Sequence, residues 1–331
     1  MANLSTKYIG LELKNPIIIS SSGLTSTVKN AVELEKNGAA AIVLKSIFEE
    51  EIALEYDKIL NDADKTGMSD DMLDYFDTRI KEVNLNNYLK LLTDCKNQLS
   101  IPVIASINCS SSHEWIYYAK KLQDSGADAL ELNMFISPAD ISATSSKNEQ
   151  IYFTVIEKIL QQVTIPVALK ISPYFTNLGS IIQKFSETGI SGIVMFNRFF
   201  TPDFDIDKFE ISSENVFSNP KDYGNSLRWI SIMYDRVKCD LAATTGIHDG
   251  KTVIKQILAG AKAVEISSVL YSQGIPYIKN ILSEINLWMD EKKFSKLEDF
   301  RGKMSQKKSI NPATYERMQF MKYYSSIKTA I

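Results

Sequence analysis

Short apolar runs recur along the chain, each followed by a longer stretch with helical spacing of apolar residues. The runs are PIIISSS (16–22), AAIVLKS (40–46), PVIASIN (102–108) and ALELNM (129–134), then PVALKIS (166–172), GIVMFN (192–197), DLAATTG (240–246) and AVEISS (263–268). Runs this short and this continuous suit strands buried on both faces, which parallel sheets require. Four of them follow a helical stretch through a glycine, in KNGAAAIVL, DSGADALEL, ETGISGIVM and LAGAKAVEI. A glycine there ends a helix by entering the left-handed region and releases the chain into the next strand.

Eight such repeats predict an α/β fold of the (β/α)8 TIM-barrel class. An open doubly wound sheet would need a second domain, and no break in composition marks one, so residues 1–331 read as a single barrel domain. Long connections are expected after strand two, from Lys45 to about Ser100, and after strand six, from Asn197 to about Cys239. Both leave the strand C-termini, the face that carries barrel active sites. PYIKNILSEINLWMDEKK reads as the closing helix, and residues 301–331 as a C-terminal helical extension over the barrel or at a subunit contact.

The runs end on polar residues: Ser22, Lys45, Asn108, Asn133, Lys170, Asn197, Thr245 and Ser268. A lysine that ends an apolar strand needs an acceptor, because desolvating an ammonium is costly. One reading pairs Lys45 and Lys170 with barrel carboxylates such as Glu131 or Glu265. The other takes the lysines and asparagines together as a set of contacts to a ligand rich in oxygen and nitrogen. ATTGIHDG and ISSVLY add Thr245, Gly246, Ser267 and Ser268 where barrels bind phosphate, after strands seven and eight. His248 is given no role.

Composition removes several classes. A net charge of −3 without a dense Lys/Arg block speaks against a nucleic-acid surface. Three separated cysteines and two histidines supply neither a disulfide framework nor a metal set, so no metal is expected. No apolar stretch reaches membrane-spanning length and the first residues do not read as a signal, so a cytoplasmic location is expected.

Taken in order and spacing, NPIIISSSGL, AIVLKSIFEE, ALELNMF, IPVALKISPYF, VMFN, YGNSLRWI, ATTGIHDGKTVIKQILAGAKAVEISSVLY and FRGKM resemble the dihydroorotate dehydrogenase family. The chain is more similar to that family's divergent dihydroorotate dehydrogenase-like branch. The resemblance implies FMN across the barrel mouth, with Ser22, Lys45, Asn133 and Lys170 at the isoalloxazine and ribityl portions. It implies Gly224, Thr245, Gly246, Ser267 and Ser268 at the phosphate. It implies oxidation of dihydroorotate to orotate by hydride transfer to the flavin, as in pyrimidine biosynthesis, with Lys45 stabilising the reduced ring. It also implies substrate contacts from Asn108, Asn133 and Asn197, and a homodimer; Arg198, beside Asn197, reads either as a substrate-binding partner for a carboxylate or as a residue pointing into solvent.

The family's Asn-Leu-Ser-Cys-Pro-Asn is replaced here by Asn133-Met134-Phe135-Ile136-Ser137-Pro138-Ala139-Asp140. The run has one extra residue and no cysteine. Ser137 keeps the Ser-Pro dipeptide and is the candidate base; it reads equally well as a turn residue before proline. Strand six ends in Asn197-Arg198 where the family has Asn-Ser or Asn-Thr, and Thr-Gly-Gly after strand seven becomes Thr244-Thr245-Gly246. These departures keep two alternatives open: FMN chemistry on another cyclic amide or enoyl compound, and a barrel that binds a phosphorylated ligand without redox chemistry.

Overall fold

The computed structural model describes residues 2–48, 70–108, 112–198, 202–212 and 216–316. The parts of the long connections at 49–69, 199–201 and 213–215 lie outside these residues, as do Cys109 and residues 317–331 of the expected extension.

Every apolar run forms a strand. In chain order, after a hairpin of β1 (Thr6–Tyr8) and β2 (Leu11–Leu13), come β3 (Ile17–Ile19), β4 (Ala41–Val43) and a short β5 (Ile47–Phe48). They are followed by β6 (Val103–Asn108), β7 (Ala129–Asn133), β8 (Val167–Ile171) and β9 (Gly192–Met195). A second hairpin, β10 (Asp203–Asp205) and β11 (Glu210–Ser212), precedes β12 (Asp240–Thr244) and β13 (Ala263–Ile266). Among the described residues, β3, β4, β6, β7, β8, β9, β12 and β13 pair in parallel in that order, and β13 returns to β3. This closed ring of eight strands is the TIM barrel expected from the sequence.

The helices that follow the strands are α1 (Val28–Lys36), α2 (Asp70–Gln98), α3 (Ser112–Asp124), α4 (Ser145–Leu160), α5 (Leu178–Ser186), α6 (Tyr223–Met233) and α7 (Gly250–Ala259). A short α8 (Ser268–Gln273) precedes α9 (Tyr277–Lys292), the closing helix. Local chemistry starts and stops them. Thr27, Thr144, Asn177 and Asp249 each accept a hydrogen bond from a backbone N–H of the first turn, satisfying donors that the helix cannot. The four glycines expected at helix ends all have positive φ. At Gly260 a Cβ would lie 2.3 Å from the Tyr234 ring, so packing demands glycine there as well as conformation.

Strand alternation divides the core. Ile17, Ile19, Val103, Leu132, Leu169, Ile193 and Val264 are buried with helix residues such as Leu34, Leu122, Ile156 and Ile257. The residues between them, including Ile18, Ala41, Ala129, Ala168, Val194, Ala242 and Ala263, form a second cluster inside the barrel. Alanine at so many inward positions leaves room, and Tyr8, Ile9 and Leu13 of the β1–β2 hairpin fill it. The hairpin turns through Ile9 and Gly10, at φ 47 and 86. The Ile9 N–H is held by Asp240 Oδ2 at 2.7 Å. A β-branched residue is uncommon in the left-handed region, and burial of its side chain fixes it there.

Past β13 the chain crosses the same end of the barrel. Arg301, 4% exposed, donates to Thr6 Oγ1 at 2.9 Å, to the Ala261 carbonyl and to Glu298. The extension continues through a short α10 (Ala313–Glu316), where Glu316 accepts from Gln306 Nε2 at 2.6 Å.

Candidate active site

The inward positions nearest the strand C-termini are polar. Two residues above the alanine layer, one inward step along the strands, lie Ser20, Ser106, Glu131, Lys170, Thr244 and Glu265, all buried. One inward step further are Ser22, Lys45, Asn133 and Ser267, which open onto a cleft of about 410 Å³. That volume lies in the range of pockets for small molecules and cofactors.

The cleft gathers most of the residues singled out from the sequence. Ser22, Lys45, Asn133, Lys170, Asn197, Arg198, Thr245, Gly246, Ser267 and Ser268 all line it. Lys45 reaches it because β4 breaks after Val43 and pairing with β6 resumes only at Ile47. In the break, the Ser46 N–H turns to Ser21 Oγ at 2.9 Å, and Ser46 Oγ lies 2.7 Å from Ser106 Oγ. Asn133 and Asn197 meet edge to edge, with Asn197 Nδ2 donating to Asn133 Oδ1 at 2.7 Å. This bond orients both amides, leaving the Asn133 amide N–H groups and the Asn197 carbonyl as further hydrogen-bonding groups.

Lys170 is 5% exposed and sits at the base of the cleft. Its Nζ donates to Glu265 Oε2 at 2.7 Å, to Ser20 Oγ at 3.0 Å and to Glu131 Oε1 at 3.4 Å. The reading that pairs a strand-end lysine with a barrel carboxylate therefore holds for Lys170, which meets both Glu265 and, at longer distance, Glu131. Burial, then the neighbouring Glu265, pushes the Glu131 carboxyl well above its ordinary range. Burial also acts to raise Glu265, but Lys170 and hydrogen bonds from its neighbours outweigh it and hold that carboxyl low. Burial acts to lower the Lys170 ammonium, and the two glutamates reverse this, so it stays charged.

The opposite wall is built by the ends of β12 and β13. Thr245 and Gly246 follow β12 with φ 71 and 76. Thr245 Oγ1 donates to the Phe196 carbonyl at 3.0 Å. A Cβ on Gly246 would fall 2.2 Å from the Tyr223 nitrogen, so glycine lets residues 219–223 approach the cleft. Ser267 precedes α8. Ser268 Oγ accepts from the Ser218 N–H at 3.0 Å, and Ser218 Oγ lies 3.1 Å from His248 Nε2. His248 thus braces the segment that carries Ser218 and Val216 over the cleft. Burial holds its imidazole below the usual value.

Three residues singled out from the sequence lie elsewhere in this structure. Asn108 ends β6 opposite Phe48 of β5 and is outside the lining. Ser137 is exposed beyond β7, where its Oγ accepts from the Ala139 N–H at 3.3 Å, a turn contact. Gly224 is exposed in the first turn of α6, with no atom within 4 Å of a Cβ placed on it. Arg198 lines the cleft while Nη1 donates to the Val216 carbonyl and Nε lies 3.9 Å from Asp222.

Sequence reasoning did not single out Ser20, Thr244, Phe196 or Ser218 as lining residues. Ser20 and Thr244 were recoverable from the two-residue period, since each precedes a chosen position on an inward face. Ser218 comes from the long connection after β9, and nothing in the local pattern marks it.

The model for dihydroorotate dehydrogenase matches residues 3–289. Curated relatives extend over the same span. The chain is 27% identical to dihydroorotate dehydrogenase B (NAD(+)), catalytic subunit, of Thermoplasma acidophilum, covering 91% of this chain and 99% of that one. It is 26% identical to the protein of the same description from Methanocaldococcus jannaschii, over 90% and 97%. It is 25% identical to dihydroorotate dehydrogenase A (fumarate) of Lactococcus lactis, over 91% and 99%. With a barrel closed on itself, a polar cleft at its strand C-termini and a family match over most of its length, this chain belongs to the dihydroorotate dehydrogenase family.

Proposed function

We propose that this protein is an FMN-dependent oxidoreductase that oxidises dihydroorotate to orotate. The observation that carries the reading is the convergence of Lys45, Asn133 and Asn197 with Thr245, Gly246, Ser267 and Ser268 on one cleft. The residues fit the cofactor. One wall offers a cation and two oriented amides to a ring with carbonyl and imide edges. The other offers serine hydroxyls and the backbone of Gly246, at the usual phosphate site of barrels. When bound, FMN supplies the hydride acceptor.

The chain's own groups do the rest. Lys45 supplies positive charge beside the site where negative charge develops on reduction. The Asn133–Asn197 pair holds a planar ligand edge through fixed donors and acceptors. Arg198 lies at the rim as the guanidinium suited to a substrate carboxylate. Ser137, on the loop after β7, is the candidate base for the proton lost from carbon, provided that loop closes over the cleft.

The second reading, the same cofactor with another cyclic amide or enoyl substrate, is favoured by the place of Ser137. Its turn contact with Ala139 lies outside the cleft lining.

A visible spectrum separates these readings. The purified protein is mixed with FMN, passed through gel filtration and then given dihydroorotate without oxygen. The expected result is a retained flavin band that bleaches. A band that stays oxidised selects the second reading. A protein that retains no flavin overturns both in favour of a non-redox phosphate-binding barrel. Turnover assays then offer NAD(+) and fumarate as acceptors, since the relatives' names divide between the two.

A further inference from the structure

The wall built by the ends of β12 and β13 contains a serine backed by a histidine. Ser218 is buried and lines the cleft with Gly246, Ser267 and Ser268. Its place is fixed from several sides. Its N–H donates to Ser268 Oγ at 3.0 Å. Two residues earlier, the Val216 carbonyl accepts from Arg198 Nη1. Beside it, the Phe217 ring packs on Tyr271 with centroids 5.1 Å apart. After it, the Asn219 N–H donates to Asp222 Oδ2 at 2.8 Å, and the missing Cβ of Gly246 lets residues 219–223 close in on the wall.

A serine hydroxyl has one proton to donate and lone pairs to accept with. Among the described residues, the partner of Ser218 Oγ is His248 Nε2, at 3.1 Å. When Nε2 carries a proton it donates to Ser218 Oγ, and the serine proton turns to the cleft. When Nε2 is bare it accepts that proton, and the hydroxyl is spent on the histidine. The first arrangement makes an anion site: the hydroxyls of Ser218 and Ser268 donate from one wall, with an imidazole one hydrogen bond behind. Thr245, Gly246, Ser267 and Ser268 carry no charge, so a dianion against this wall gains from an imidazolium there.

We propose that Ser218 is a phosphate-binding residue of this cleft and that His248 is its positioning residue, turning the serine proton toward the phosphate and supplying positive charge behind it. The ligand class is a phosphomonoester dianion. That this ligand is FMN rests on the flavin reading above; the Ser218–His248 site does not. In the empty cleft, burial lowers the imidazole, while the Ser218 backbone and the carboxylates of Asp222 and Asp249 act the other way. Arg198 Nε lies 3.9 Å from Asp222 and tempers that carboxylate. From α9, Glu284 Oε2 accepts from the Gly250 N–H at 2.8 Å, two residues beyond His248. A bound dianion raises the imidazole, so binding takes up a proton. The histidine's contribution to affinity is fully present below its value in the free protein and is lost as pH rises through its value in the complex.

The chain has two histidines, so proton–carbon NMR of the imidazole rings follows His248 directly. Its signal is the one lost in His248→Gln or, should that variant not fold, the one kept in His113→Gln. Three ligands are compared at matched ionic strength: FMN, riboflavin, which lacks the phosphate, and sulfate, a dianion whose charge is constant across the titration. FMN and sulfate are each expected to move the His248 midpoint up by about one pH unit, the size of a tenfold coupling. Riboflavin is expected to leave it in place, and Ser218→Ala is expected to abolish the rise. Fluorescence titration reads the same coupling as affinity. Between about pH 8 and about pH 6, FMN binding by the wild type should improve about tenfold relative to His248→Gln. The same ratio for riboflavin should stay flat. Taking the ratio on one ligand cancels the titration of the FMN phosphate itself.

A His248 midpoint that neither FMN nor sulfate moves overturns the proposal. So does an equal response to riboflavin, or a rise that survives Ser218→Ala. A protein that binds neither flavin, but whose His248 responds to sulfate through Ser218, overturns the flavin reading and leaves the phosphate site standing.

Discussion

The two halves of the barrel interior are built from the same strands and the same two-residue period, yet they are filled in opposite ways. The lower half presents alanine, at Ala41, Ala129, Ala168, Ala242 and Ala263, and the protein's own hairpin occupies the space. The upper half presents Ser20, Ser106, Glu131, Lys170, Thr244 and Glu265, and above them lies a cleft rather than more protein. Small apolar side chains invite packing, and the β1–β2 hairpin supplies it. Buried polar side chains demand partners, and Lys170, Glu265 and Ser20 find them in one another at the base of the cleft. A step of two residues along one strand, from Ala129 to Glu131 to Asn133, therefore runs from stability through electrostatics to ligand binding.

If the halves are separable, substitutions in the lower half will change stability and leave the cleft alone. Tyr8→Ala should have the largest effect, about 3–5 kcal/mol of unfolding free energy, as for other large buried aromatics. The flavin content of the molecules that remain folded should not change, and denaturant titration with flavin absorbance reads both. A loss of flavin from folded protein would show that the halves are coupled.

Lys170→Ala strikes the boundary between them. Removing one partner of a buried ion pair costs about 3–5 kcal/mol. The lower end is expected, because both carboxyls can take up protons once the ammonium is gone. The midpoint of urea unfolding checks this.

Glu131→Gln sharpens the boundary through pH. The Glu131 carboxyl is raised by burial and by Glu265, so the folded protein holds a proton that the unfolded chain has released above about pH 4.3. Its contribution to stability is present at low pH and declines as pH rises. Glutamine removes that decline, so the variant should gain on the wild type from pH 5 to pH 8, by up to about 1.4 kcal/mol per pH unit. Unfolding curves at matched pH values measure the slope, and parallel slopes would show that the Glu131 carboxyl is not raised in the folded protein.

Asn133→Ala belongs wholly to the upper half. It removes the acceptor for Asn197 Nδ2 and one ligand-facing amide. FMN affinity should fall roughly threefold to tenfold, on the order of 1 kcal/mol, with little change in melting temperature. Fluorescence titration with FMN is the check.

Much of this division was legible in the sequence because barrel strands announce themselves as isolated apolar runs. Their last inward residues stand out as polar. Lys45, Asn133, Asn197 and Ser267 could be placed on the cleft for that reason. The hairpin was not legible: its strands are three residues each, too short for a period to show, and its turn contains isoleucine where glycine or asparagine would signal it. Asn108 also followed the pattern, but β6 runs on to pair with β5, and this takes its side chain out of the lining. Ser137 and Gly224 lie beyond strand ends, where the period no longer determines direction. The partners of Lys170 were legible as residue types, since Glu131 and Glu265 precede chosen positions by two.

The hairpin has a consequence for the order in which the protein acquires its structure. Tyr8, Ile9 and Leu13 precede in the chain every barrel strand that buries them, up to β13. Thr6 bonds to Arg301 across 295 residues of chain. Contacts so distant in sequence form late, so the hairpin waits for the last repeats before it can dock. The amide proton of Ile9, held by Asp240, is a reporter of that docking: its protection from hydrogen exchange should appear only when the ring of strands has closed.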